Sequence, residues 1–445
     1  MHSMEYLGYN PDMKYTGAGI LFFLVLFFKS PVSFSADDGL KEWILKENFK
    51  YFHHALDEKT GFVYDHIFIE GSGEYKTGKY TSPTIIGFWA VLLTDVIKGD
   101  ISGIEFSRED AEYWLKKVIN SLENIPCWEG LFYWYELKDG LNVTEDEIIS
   151  THDNANLTIS LMAVYGAFAE SKDAFEQDIA RRVYDILMLQ KSGWQKLYDS
   201  SKGLLHSGYK KGKPLRYAWI DRFYTEGRIA PIVAILLADV PSDAWFNLLK
   251  GANCPQGEYT LSDNRHVKFL KPWQGAFQAW LPLLFIPEID LSQALKKAHE
   301  NYADIQMDYA INSGLKLLRS AAANPEVRDE YLYEPSVGIF NASEDWVRSD
   351  IGSPYATALM YPIYPEASIY LFRETKDALP EIIGPLGFYD AVSENRLIAR
   401  VYLALDQLQL LLAFLSDVNQ NYFMKSVEYF KGKDNLKELY KSFRF

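Results

Sequence analysis

The chain has 445 residues, with 45 Lys plus Arg against 60 Asp plus Glu and a formal net charge of −15. That balance argues against a nucleic-acid partner, because phosphate binding runs on clustered basic surface. Apolar residues make up 48% and charged residues 24%, the proportions of a folded globular protein, while 15% of the chain is aromatic. The aromatic excess fits either a large ring-rich core or a cleft lined with flat rings and hydroxyls.

The first feature along the chain is the uninterrupted apolar run Gly19–Phe28, preceded by Lys14 and followed by Ser33-Phe34-Ser35-Ala36. A membrane-spanning helix needs ~20 apolar residues, so this run is too short. A basic residue, a short apolar stretch and small residues at a cut site predict a secretory signal peptide over residues 1–36. Met13 offers a second start, and a retained anchor is the alternative. The expected location is secreted or periplasmic, with residues 37–445 as a single mature domain. Cys127 and Cys254 are the two cysteines. They allow one disulfide and no cysteine-based metal site. Asn142-Val143-Thr144, Asn156-Leu157-Thr158 and Asn341-Ala342-Ser343 match the glycosylation sequon, relevant in a eukaryotic secretory route.

The periodicity of the mature chain is mostly helical. Leu40, Trp43, Ile44, Tyr51, Ala55 and Leu56 share one helix face. Thr84–Lys98 follows. Ser107, three before Asp110, reads as an N-cap ahead of Ala111, Trp114, Leu115, Val118 and Leu122. Further helices are expected at Ala155–Glu170, Ala174–Gln190, Glu226–Ala238, Leu291–Asn312 and Glu394–Asn419. Clear period-2 runs are few. Turn-rich segments such as Glu70–Gly78, Lys210–Pro214 and Asn253–Gly257 lie between the helices. With no linker or shift in composition, the pattern predicts one all-α domain of stacked helical hairpins, able to close into a ring with a loop-built cleft at one end.

The chain has no Gly-rich phosphate loop, no Gly-x-Ser-x-Gly elbow and no His-x-x-x-His pattern, so nucleotide transfer, serine hydrolysis and a histidine metal site lack support. What recurs is acid beside aromatic and arginine, in Cys127–Glu136, Ser150–Asn154 and Trp219–Arg228. A carboxyl that protonates a glycosidic oxygen must be held at a raised pKa, and aromatic surroundings do that by desolvation. Sugar rings also stack on aromatic faces while acids and amides bind hydroxyls. Carbohydrate chemistry therefore suits the pattern, although any one acid can equally cap a helix or pair with an arginine.

At these segments the chain resembles the glycoamylase-like family, which includes endo-β-1,2-glucanases and the glucan-processing domain of cyclic β-1,2-glucan synthases. The resemblance is carried by Thr81-Ser82-Pro83-Thr84-Ile85-Ile86-Gly87, Ser150–Leu157, and Thr225-Glu226-Gly227-Arg228 followed by Asp239-Val240-Pro241. It continues through Pro354–Leu359, Gly387–Ala391 and Asp406-Gln407, in the same order. It implies an (α/α)6 barrel and action on β-glucan without a cofactor or metal, with an oligo- or polysaccharide as the partner, no nucleic acid or nucleotide, and a monomer.

By that resemblance Glu226 is the general acid, Asp153 a cleft aspartate, and Asn156, Arg228, Asp390 and Asp406 further site positions. Trp128, Trp134, Tyr224, Trp273 and Trp346 are subsite candidates by composition. The chain also departs from the family pattern. Gln278 stands where an acid is usual, Ala342 aligns with the nucleophile of the transglycosylating branch, and Leu408 replaces a Gly. Without a nucleophile, inversion is expected, with Asp153 as first choice of base and Glu136 and Glu344 behind it. The competing expectations are a non-catalytic glucan-binding relative and a polysaccharide lyase. The negative charge disfavours the lyase, since its uronic-acid substrates call for a basic cleft.

Overall fold

The computed structural model describes residues 38–69, 73–138, 140–215, 218–327, 331–430 and 432–445. The signal-peptide expectation lies outside them. Among the described residues no helix is long and apolar enough to cross a membrane.

The all-α expectation holds. The longer helices and the short ones that carry the site are α1 (Asp38–Phe49), α2 (Pro83–Lys98), α3 (Arg108–Asn124), α4 (Thr151–Phe168) and α5 (Ala174–Leu197). They continue with α6 (Ile229–Ala238), α7 (Ala276–Trp280), α8 (Gln293–Asn312), α9 (Pro354–Leu359), α10 (Pro365–Ala378), α11 (Ala404–Phe414), α12 (Ser416–Tyr429) and α13 (Lys433–Lys441).

Capping sets several starts. Ser82 accepts from the Ile85 N–H ahead of α2, with Pro83 in the first turn. Ser107 and Asp110 form the expected capping box of α3. Ser150 caps α4 and Asp173 caps α5.

These helices divide into two sets. In the first, α2 packs on α4, α4 on α6, the turn before α6 on α7, α7 on α9, α9 on α11, and α11 back on α2. This set is buried nearly all round: every residue of α2 from Pro83 to Ile97 is buried. Helices apolar on all faces belong in the middle of a domain. The second set covers the first from outside. Here α3 lies on α2, α5 on α4 and α6, α8 on α7, α10 on α9, and α1 on α11. Their sequences keep the one-sided pattern of surface helices, as in α3, where Ala111, Leu115, Val118, Ile119 and Leu122 are buried.

Helix α12 crosses the far ends of the first set. Asn419 reaches Asp95 near the end of α2 (3.5 Å). Gln420 donates to the Leu283 carbonyl (2.6 Å) in the turn after α7.

Two helical expectations are corrected. The stretch Leu40–Leu56 breaks after Phe49, where Asn48 turns its amide onto the Ile44 carbonyl (2.7 Å) and its oxygen onto the Phe388 N–H (2.9 Å). The stretch Glu394–Asn419 begins as strands, Ile398–Ala399 and Val401–Leu403, because Arg396 takes a left-handed φ of 62° and turns the chain into a hairpin. Helix then runs as two pieces, α11 and α12, separated at Leu415. The turn expected at Asn253–Gly257 leads into a five-residue antiparallel hairpin, Gln256–Thr260 with His266–Leu270, that the sequence reading did not include. Its alternation is of exposed and half-buried residues, so the apolar period-2 signal is weak.

Short strands gather at the end where the first set of helices starts. There Ile351–Gly352, Ala391–Ser393 and Ile398–Ala399 pair into one small sheet. It shares a minor core of Ala322, Ala323, Val337, Ile351, Ala391, Ala399, Val401 and Leu403.

The closest helix approach is at Gly166 of α4, where a Cβ would stand 1.9 Å from the Tyr422 carbonyl oxygen of α12. That oxygen is backbone and cannot swing aside. Gly166→Ala is expected to destabilise the fold by about 1–3 kcal/mol through overpacking, read as a lower urea midpoint. An unchanged midpoint would mean that α12 is free to move off α4.

Candidate active site

The first turns of the central helices come together at one end, and the sequence-predicted acids sit in them. Asp153 lies in the first turn of α4 and Asp406 in that of α11. Glu226 opens the 3-10 turn Glu226–Arg228 that runs into α6. A helix start presents free N–H groups and the positive end of the macrodipole, which favours carboxylates there.

Asp153 is half-buried and held from two sides. The Thr84 hydroxyl at the start of α2 donates to one oxygen (2.7 Å), and the Trp134 indole N–H donates to the other (3.0 Å). Asn156 stands one turn behind and donates to the Thr84 oxygen (3.2 Å). At 3% exposure it acts on the site through Thr84 rather than by contact with a ligand. Asn154 fixes the loop that carries the tryptophan by exchanging two hydrogen bonds with the Phe132 backbone (2.7 and 2.9 Å).

The Asp153 helix and the Glu226 turn meet at Gly227, where a Cβ would lie 2.9 Å from His152 Nε2. A larger residue here would have to push the His152 ring aside. One Glu226 carboxyl oxygen is buried without a hydrogen-bond partner in the described structure. An unsatisfied buried acceptor is costly, so this oxygen is a group waiting for a donor.

Asp390 and Asp406 form a buried pair. Asp390 accepts from the Ala323 N–H (2.6 Å), and its other oxygen and one oxygen of Asp406 have no conventional donor. Two carboxyls so placed share a proton. Burial raises Asp390 to about 6, against hydrogen bonds from Asp406 and Ala323. Burial, then the Asp390 charge and hydrogen bond, raise Asp406 well above the ordinary carboxyl range. Tyr333 faces this group. The residue is 39% exposed overall, yet crowding around its hydroxyl raises the phenol, and the charges of Asp406, Asp390 and Glu226 raise it further.

Other predicted residues separate into cleft and scaffold. Trp346 is 64% exposed and Trp134 44%. Arg222 makes two hydrogen bonds to Glu344 (2.8 and 3.0 Å) and lies over the Trp273 ring (5.3 Å), joining those two candidates into one wall. Glu136 sits on a short strand opposite Tyr80. Trp128 packs one face on Tyr209 (4.2 Å), which leaves that face closed to a sugar.

Two expectations are corrected. Arg228 is 0% exposed and its guanidinium is taken up by Glu288 and the Thr225 and Ala279 carbonyls, so it cannot bind substrate. Tyr224 is likewise internal, its hydroxyl 2.9 Å from His299 Nδ1. The departures from the family pattern are also structural. The Gln278 side-chain oxygen accepts the Gln274 N–H (2.7 Å), while Ala342 and Leu408 are core residues. The two cysteines are free thiols, Cys127 exposed and Cys254 half-buried.

Sequence reasoning missed Thr84, Arg222 and Tyr333. The first two lie inside segments already singled out. Tyr333 has no local signal, because it reaches the site only through the folding of a long loop.

No protein-family model and no curated protein matches the sequence. Solved structures do match. A mutant endo-β-1,2-glucanase from Talaromyces funiculosus in complex with β-1,2-glucan aligns with a TM-score of 0.77, covering 91% of this chain and 90% of that one at 13% identity. The chain shares the glucanase fold. A putative glucoamylase from Bacteroides fragilis gives a TM-score of 0.70 at 18% identity, covering 91% of this chain and 98% of that one. The endo-β-1,2-glucanase from Chitinophaga pinensis, in complex with sophorotriose and glucose, gives 0.69 at 18% identity over 89% and 97%. The sequence resemblance and the three-dimensional likeness thus lead to the same group of glucanase-like folds.

The Asp390–Asp406 pair has a consequence for stability. Both folded-state pKa values are raised, so the pair stabilises the fold at low pH and loses that contribution as pH rises through about 6 and beyond. Asp406→Asn replaces the shared proton by an amide donor. The melting temperature of the wild type is expected to fall between about pH 5 and 8. The variant should be flatter over that window and at least as stable at its upper end. Parallel curves for the two proteins would refute a shared proton.

Proposed function

We propose that this chain is an exported glycoside hydrolase that cleaves β-1,2-glucan internally, with inversion of configuration. The central helices read as the inner ring of an (α/α)6 barrel and the outer set as its second layer. The observation that carries the function is the unpartnered, buried Glu226 oxygen at the end of the ring where half-buried Asp153 and the buried Asp390–Asp406 pair also lie. The sugar complexes of the similarly folded glucanases support a glucan as the substrate.

In this reading Glu226 protonates the leaving glycosidic oxygen and a second carboxylate activates water. An inverting enzyme needs that base about 6.5–9.5 Å from the acid, whereas a retaining one needs a nucleophile at about 5–5.5 Å. The position that aligns with the nucleophile is Ala342, a buried methyl group, which favours inversion. Asp153 is the proposed base, since it is accessible and held in place by Thr84 and Trp134. A specific observation favours the Asp390–Asp406 pair as the other reading: Asp390 is the first of the two to ionise and can take up the proton that water gives up. Trp346 and Trp134 offer ring faces to the glucose units on either side.

Glu226→Gln is expected to abolish reducing-sugar release from linear β-1,2-glucan while keeping the far-ultraviolet circular dichroism unchanged. A fully active variant would sink the assignment of the acid. NMR of the first products should show the inverted anomer. Of Asp153→Asn and Asp406→Asn, the one that removes the base should lose about 100-fold or more in kcat, and the other much less. Binding of glucan by the wild type without any turnover would point instead to a glucan-binding protein. Trp346→Ala is expected to raise KM several-fold at similar kcat, by removal of a stacking face that binds ground state and transition state alike.

A further inference from the structure

Behind the Glu226 turn lies a fully buried cluster of charged and polar groups that touches no part of the cleft. Arg228 Nε and Nη2 make a two-pronged pair with Glu288 (2.8 and 2.7 Å). Its Nη1 donates to the Thr225 carbonyl (2.9 Å), immediately before Glu226, and Nη2 also donates to the Ala279 carbonyl (2.7 Å) in α7.

Glu288 in turn accepts from the Tyr440 hydroxyl (2.8 Å) and lies 3.0 Å from His299 Nε2. The far nitrogen of His299 meets the Tyr224 hydroxyl. With a carboxylate on one side, the neutral imidazole donates from Nε2 and accepts from Tyr224. Burial would raise Glu288, but the Arg228 charge, then hydrogen bonds from Arg228 and His299, bring it down to about 2. Tyr440 belongs to α13, which the Trp245 indole pins through the Leu439 carbonyl (2.9 Å).

Stability alone does not account for such a cluster, because well-packed apolar residues of similar volume often serve as well as a buried ion pair. What the ion pair supplies is direction. A guanidinium locked on both prongs can hold the Thr225 carbonyl in one place, and that carbonyl also accepts the Arg228 N–H (3.2 Å) that closes the turn.

We propose that Arg228, Glu288 and Tyr440 are positioning residues for the Glu226 carboxyl, so that the C-terminal helix α13 sets the geometry of the acid from outside the cleft. This rests on the hydrolase reading above.

The test is Tyr440→Phe in the full chain, which removes one hydroxyl and no volume, with Glu288→Gln as the harsher variant. The Glu226 titration is followed by carboxyl-carbon NMR, assigned with Glu226→Gln. Tyr440→Phe is expected to move the Glu226 midpoint by about half a unit or more. It should lower kcat on linear β-1,2-glucan about tenfold with KM within about twofold. A folded Tyr440→Phe protein with an unmoved midpoint and unchanged kcat overturns the proposal. A wild type that releases no sugar overturns the hydrolase reading instead, and the midpoint still decides the positioning role.

Discussion

The structure depends on one constraint: the central helices all begin at the same end. Each start leaves backbone N–H groups that the helix cannot satisfy, so that end becomes crowded with caps, carboxylates and short strands. Ser82 and Ser150 serve α2 and α4 directly. Asp153 and Asp406 occupy first turns whose dipoles favour negative charge, and Glu226 sits in the turn that feeds α6. The opposite end, crossed by α12, is filled by backbone contacts too close for a side chain at Gly166. The fold therefore has one end closed by packing and one end crowded with carboxyls.

Much of this was legible in the sequence. Helix positions followed from apolar spacing and from caps such as Ser107, because a surface helix must be one-sided and must satisfy its first N–H groups. The acids were visible because they sit beside aromatics and glycines in loop-like segments. Roles were harder to read. Glu226 and Arg228 are two residues apart in one motif, yet one is half-buried with an unpartnered oxygen and the other is sealed in an ion pair. Spacing gives the turn of the chain but not the side on which its neighbours lie. Glu288 and Tyr440, which complete the Arg228 site, come from segments 60 and 212 positions further on, and nothing local marks them. The strands at Ile398–Ala399 and Val401–Leu403 were hidden for a different reason. They are buried on both faces and so lack alternation, which leaves an apolar run that reads as helix.

The acids at the open end are held in three different ways. Asp153 has two neutral donors, Asp390 and Asp406 have each other, and Glu226 has an oxygen with no partner. The wall of Trp273, Arg222 and Glu344 adds a fourth arrangement, an ion pair laid against a ring.

The burial of Asn156 also bears on how the protein can be made. Its sequon lies inside α4, with the side-chain amide turned onto Thr84 and nine-tenths of the residue or more out of solvent. An oligosaccharide linked to that nitrogen has no room between α2 and α4. Glycan transfer at this asparagine and formation of the helix pair therefore exclude one another. Wherever the chain meets a glycosyltransferase as it folds, the yield of folded molecules becomes a race between the transferase and the closing of two helices.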